Sequence, residues 1–127
     1  MNHILLVALG GALGSVARFK VSELLLLSYP SWKFPIGTFI VNVLGCLTIG
    51  ILAGLSERPG VISPDVRLFL FTGVIGGFTT FSAFGLETFS LLKRGEILIA
   101  SSYVGLSIIV GILAVCVGFV IVAGTAK

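Results

Sequence analysis

"GVIGGFTTFSAFGLET", residues 73–88, decides how this chain folds. No charge lies between Arg67 and Glu87, so the stretch is apolar enough to sit in hydrocarbon. Yet glycines at 73, 76 and 77, followed by Thr79 and Thr80, are poor material for an uninterrupted helix. Phe78, Phe81 and Phe84 then recur three residues apart. The pattern predicts a membrane helix that is interrupted around Gly76, Gly77, Thr79 and Thr80, with Phe81 and Phe84 facing similarly just past the break.

The rest of the chain agrees with a membrane setting. Of its 127 residues 57% are hydrophobic and only 10% are charged, and the mean hydropathy is +1.20. A soluble domain carries about a quarter charged residues. The net charge of +3 is small and scattered, which argues against a nucleic-acid partner. The N-terminus, "MNHILLVALGG", has no Lys or Arg before its apolar run, so it lacks the basic region of a cleaved signal peptide and is expected to be retained. Cys46 and Cys116 stand alone in apolar runs without paired spacing and are expected to be small buried hydrophobes. His3 is expected to be solvated.

A spanning helix needs roughly 20 mostly apolar residues. Residues 34–56, 68–86 and 97–126 hold no charge, and each can span. The first region is uncharged from Ile4 to Ala17 and then carries Arg18, Lys20 and Glu23 before a run of leucines. These features predict four spans, at about 4–27, 34–56, 68–88 and 97–125, in one domain. "SYPSWK", "SERPGVISPDVR" and "KRGE" connect them, with Pro and Gly as breakers. Arg58, Arg67 and Lys127 fall on one side of such a bundle, and Lys20, Lys33, Lys93 and Arg94 on the other, with Arg18 near the boundary. This weak bias is compatible with insertion in both orientations. Gly10/Gly14, Gly50/Gly54 and Gly73/Gly77 are spaced by four, which lets helices approach closely, either within a subunit or between subunits. Four helices are too few to enclose a polar path comfortably, which favours an oligomer.

Polar groups within the spans mark a path or a pairing. Asn42 is the only amide in a span interior, and Thr38 lies one turn before it on the same face. Asn42 reads either as a path donor or as interhelical glue. On the last span Tyr103, Ser107 and Gly111 share a face and read as pore lining or packing hydroxyls. Arg18 reads as a snorkelling anchor or as an attracting charge at the mouth of an anion pathway. No Asp or Glu is expected at a span centre; Glu87, like the other carboxylates, is placed near an end. Carbonyls freed at a break in the third span need a partner, and a cation can serve. Aromatic rings carry a positive edge, so Phe81 and Phe84 can meet an anion; rings in such a pattern also serve as plain packing.

Three blocks of this chain, "GGALGSVARF", "GTFIVNVLG" and "GGFTTFSAF", occur in that order on four expected spans, and together they resemble the Fluc-type fluoride channels of the CrcB family over essentially the whole chain. The resemblance implies an all-α membrane protein, an antiparallel dual-topology homodimer with two pores that conduct fluoride passively. It also implies a structural sodium ion at the dimer centre, held by the backbone carbonyls of Gly76 and Thr79. On the fluoride path it implies Asn42, Phe81, Phe84, Ser82, Thr80, Tyr103 and Ser107, with Arg18 in a vestibule and Glu87 near the far end of the third helix. The implied setting is the plasma (inner) membrane of a microbe, where the channel relieves fluoride toxicity. Ser15 stands where the family motif often has Ala, and Ala83 where it often has Thr or Ser; Gly111 and Val115 offer no hydroxyl where the polar track could continue.

Fluoride is small and strongly hydrated, so a pore has to replace its water with donors such as the Asn42 amide and Ser or Thr hydroxyls. No phosphate-binding glycine-lysine motif is visible, and an inside-negative potential drives an anion outward by about 2.3 kcal/mol per charge per 100 mV. Two rivals are a small dual-topology drug exporter, which calls for a carboxylate within the first span, and a non-transporting structural subunit, in which Asn42 and the glycines are glue. An enzyme has the least support, because no nucleophile–base pair or metal cluster lies in the spans.

Overall fold

A computed structural model describes residues 2–124. The expected end of the last span at 125, and Lys127, lie outside the described residues. Four helical segments are long and apolar enough to cross a membrane: His3–Ser28, Ile36–Ser56, Pro64–Lys93 and Ile97–Ala123. The first, second and last are the single helices α1, α2 and α6. The third is composite. It begins as α3 (Pro64–Arg67), widens into a π-helical stretch, π1 (Leu68–Ile75), tightens to α4 (Gly76–Phe78), breaks, and resumes as α5 (Phe81–Lys93).

This third span is longer at both ends than the 68–88 expected from its uncharged run. Its start is specified by local chemistry: the Ser63 hydroxyl accepts from the Val66 N–H, Pro64 occupies the first turn, and Asp65 faces the helix's positive end. The helix continues through Arg67 at its start and runs to Lys93 at its end, past the uncharged stretch. At about 1.5 Å per residue, 30 residues of helix exceed a hydrocarbon core of about 30 Å, so charged ends reach beyond it. At the other end Gly95, with φ of 76°, supplies the left-handed residue that turns the chain from α5 into α6.

The break falls at Thr79 and Thr80, whose backbones are extended (φ/ψ −80°/157° and −148°/119°). Gly76 and Gly77 remain helical. The expectation that all four residues interrupt the helix is therefore corrected: β-branched threonines take the extended conformation, and Gly77 serves packing. A Cβ at Gly77 would meet the backbone of Gly11, and one at Gly14 would overlap the carbonyl of Val74. Matching neighbours advance together along α1 and the third span, so these two run parallel.

A second parallel pair stands beside the first. A Cβ at Gly50 would overlap the Val115 carbonyl, one at Gly54 would meet Phe119, and one at Gly118 would overlap the Leu47 carbonyl. α2 and α6 thus run in the same direction in near backbone contact, and Gly111 lies against Cys46. The glycines spaced by four are used inside one chain, which settles for them the choice between packing within a subunit and packing between subunits. Outward faces are apolar: Leu13, Leu24, Leu98, Ile109 and Val120 are exposed, as lipid-facing residues of a spanning bundle must be. Cys116 is exposed and Cys46 half-buried, so neither is the fully buried hydrophobe expected.

Gly14→Ala and Gly50→Ala should each lower the stability of the purified protein by about 1–3 kcal/mol, because the added methyl meets a main-chain carbonyl that cannot turn aside. Thermal unfolding in detergent measures this. Unchanged midpoints in both variants would place the paired helices farther apart than described.

Candidate functional site at the break in the third span

An extended pair of residues inside an apolar bundle leaves peptide groups without helical partners, and each has to be satisfied. Asn42, half-buried on α2, does this for Thr80 with both ends of its amide. The Thr80 N–H donates to Asn42 Oδ1 (2.8 Å), and Asn42 Nδ2 donates to the Thr80 carbonyl (3.0 Å). The amide thus mimics a strand neighbour for one residue. Each bond is worth about 0.5–1.5 kcal/mol net, but leaving either backbone group buried and unpaired costs about 1–3 kcal/mol. The glue reading of Asn42 is therefore part of its role. Nδ2 still carries a second hydrogen not engaged by Thr80.

On the opposite flank Arg18 lies half-buried with Nε donating to the Gly77 carbonyl (3.2 Å), and the Ser15 hydroxyl points at the same oxygen (3.4 Å). Arg18 sits at the break rather than at a boundary, and it lines neither cavity described below. The second half of the span restarts with Thr80 as its cap: the Ala83 N–H donates to Thr80 Oγ1 (3.2 Å), and the Ser82 hydroxyl lies 3.4 Å from the same atom. The Thr79 N–H and hydroxyl both donate to the Ile75 carbonyl. After these pairings the carbonyls of Gly76 and Thr79 receive no hydrogen bond among the described residues.

Two cavities flank the polar residues of α2 and the third span, and the first of them adjoins the break. One, of about 290 Å³, is lined by Asn42, Cys46, Thr79, Thr80 and Phe81, with Gly45, Ile49 and Ile75. The other, of about 300 Å³, lies toward the first connection and holds Lys33, Phe34, Thr38 and Glu87. Phe84 stands between the two sets, its ring centroid 5.6 Å from Phe81 and 5.1 Å from Tyr103. Phe81 is 83% exposed on the isolated chain, whereas Phe84 is half-buried. The two rings are neighbours, as their spacing predicts, but only Phe81 opens to the surface.

Glu87 is where the sequence misleads most. It does not sit in a helix end but one and a half turns inside α5, and its carboxylate reaches across the bundle. Oε1 accepts from the buried Thr38 hydroxyl (2.7 Å) and Oε2 from the Tyr103 hydroxyl (2.7 Å). Tyr103 is fully buried and packs against Phe34 and Phe84. The two donors are hydroxyls, and the knot ties α2, α5 and α6 together without a basic partner; Lys33, in the same cavity, pairs with Glu96 instead. Polarity at 38, 87 and 103 was visible, but their convergence depends on helix register, which periodicity alone does not give. Ser107, one turn beyond Tyr103, has a buried hydroxyl with no partner among the described residues. It precedes Gly111 by one turn as Asn42 precedes Cys46, and Gly111 faces Cys46. Among the described residues there is no cluster of three or more His, Cys, Asp or Glu able to hold a metal ion.

Comparison with known proteins bears on what this arrangement does. The family described as CrcB-like protein, Camphor Resistance (CrcB), matches residues 5–119. A "Fluoride-specific ion channel FluC" from Methylobacillus flagellatus is 55% identical over 125 residues, covering 98% of each chain. Proteins of the same description from Rhizobium meliloti and Flavobacterium psychrophilum are 48% and 44% identical, covering 93% and 95% of this chain and 94% and 97% of theirs.

Thr38→Val and Tyr103→Phe each remove one donor from Glu87 and should each destabilise the protein by about 1–3 kcal/mol. In a double-mutant cycle the pair should depart from additivity by at least about 0.5 kcal/mol, because both hydroxyls serve one carboxylate. Strict additivity would mean that the two hydroxyls do not share it.

Proposed function

The chain belongs to the CrcB-like family, and on that premise we propose that it is a fluoride-specific channel that lets the anion leave the cell passively. The observation that carries the reading is the buried, unpartnered Ser107 hydroxyl on the helix face that continues from Tyr103. A buried hydroxyl without a partner is costly, and a small anion in hydrocarbon needs such a donor. The unspent N–H of Asn42 and the hydroxyls of Thr80 and Ser82 extend the same supply on the facing side. Phe81 and Phe84 add ring edges, which attract an anion without holding it as a full positive charge would. Glu87, Thr38 and Tyr103 form the end of the path toward the first connection, and Arg18 contributes positive potential from behind the break.

The working unit in this proposal is an antiparallel, dual-topology homodimer with two pores. The exposure of Phe81 supports it: the ring borders the Asn42 cavity but is left uncovered by its own chain. The balanced distribution of Lys and Arg among the connections supports insertion in both orientations. A structural sodium ion at the dimer centre would be held by the Gly76 and Thr79 carbonyls of each chain. The fit is supported by their chemistry: neutral oxygens without a donor among the described residues are what a hard cation takes in place of water. Such an ion supplies positive charge and fixes the geometry of the break.

Fluoride release from liposomes containing the purified protein, with chloride as the control anion, tests the activity. Release of neither anion, or equal release of both, would overturn the reading. Phe81→Ile and Phe84→Ile fill the same space without a positive ring edge. Each is expected to fold and to lose roughly tenfold or more of the fluoride flux, the equivalent of about 1.4 kcal/mol. Wild-type flux from both would return these rings to packing.

A further inference from the structure

We propose that the side chains of Asn42 and Thr80 are positioning residues that create the cation site, each by capturing the backbone donor that one of its carbonyls would otherwise have. The inference rests on the sodium reading above and names what makes that site possible.

In a continuous α-helix the N–H of residue i donates to the carbonyl of residue i−4. Thr80 would then satisfy Gly76, and Ala83 would satisfy Thr79. Neither bond forms. The Thr80 N–H goes to Asn42 Oδ1 at 2.8 Å, and the Ala83 N–H goes to Thr80 Oγ1 at 3.2 Å. One side chain thus frees the Gly76 carbonyl and the other frees the Thr79 carbonyl. Two further carbonyls, those of Gly77 and Phe78, lose their helical donors as well; Arg18 Nε and the Ser15 hydroxyl cover that of Gly77, and that of Phe78 receives no hydrogen bond among the described residues. Polar side chains of α2 and the break thus free the Gly76 and Thr79 oxygens for a cation, and those of α1 withdraw the Gly77 oxygen from it.

The two arms of Asn42 have separable effects. Its oxygen releases Gly76, while its nitrogen holds the Thr80 carbonyl at 3.0 Å and keeps one hydrogen for the cavity. An aspartate keeps the first function and loses the second. A leucine of similar size loses both and allows the Thr80 N–H to return to Gly76.

The test is the thermal unfolding midpoint of purified full-length protein against sodium concentration, with choline replacing sodium at constant ionic strength, read alongside fluoride flux. A cation that binds only the folded form raises the midpoint. Asn42→Leu should need at least about tenfold more sodium for the same rise. Asn42→Asp should retain the wild-type sodium response, or respond at lower concentration, although its fluoride flux is lost. Thr80→Val should weaken the response as Asn42→Leu does, and Thr80→Ser should restore it; this pair carries the test if Asn42→Leu fails to fold. Wild-type sodium responses in Asn42→Leu and Thr80→Val would overturn the inference while leaving the sodium reading intact. A wild-type protein indifferent to sodium would overturn both.

Discussion

A peptide group that leaves its helix within hydrocarbon must find a partner there, and in this chain the double hydrogen bond between Asn42 and Thr80 meets that demand. Much else depends on it. The pair fixes α2 against the break, opens the cavity that both residues line, and sets the direction from which α5 restarts toward Phe81 and Phe84. Arg18 and Ser15 make the corresponding repair from α1. Both repairs need the neighbouring backbones to be close. The glycines of α1 and the third span, which have no Cβ to hold the main chains apart, make that possible.

Away from the break the polar groups are strongly committed. Glu87 engages the hydroxyls of Thr38 and Tyr103, so at that level the donors already serve a carboxyl group of the chain itself. Unengaged donors begin one turn farther along, with Ser107 on α6 and the second N–H of Asn42 on α2. At the next turn Gly111 lies against Cys46, and no hydroxyl continues the row on that face of α6. The path is thus uneven in chemistry along its length: a carboxylate knot, a short zone of available donors, and then a weakly polar thiol.

Much of the fold could be read from residues because hydrocarbon imposes simple rules. Four long apolar runs, breakers between them and small residues spaced by four gave the four helices and their close contacts. The interruption in the third span was also legible, and the threonines named in it are the extended residues; the two glycines named with them stay helical, because the glycine at 77 is used against Gly11. The π-helical widening over Leu68–Ile75 left no sign in composition. Among candidate site residues, Asn42, Tyr103 and Ser107 stood out as polar groups in apolar surroundings. What could not be read was which groups meet, since Thr38, Glu87 and Tyr103 are brought together by the parallel register of α2 and α6 and the reach of one carboxylate. Counting charges also shortened the third helix at both ends, which hid how far inside it Glu87 lies.

The bend in the third span is not encoded by that span alone. Its donors are diverted partly by an amide on another helix, and that helix comes earlier in the chain. During synthesis α2 is made before residues 64–93 and precedes them out of the ribosome. The template for the bend is therefore made ahead of the segment it shapes, so Thr80 can meet Asn42 as soon as the third span arrives beside it.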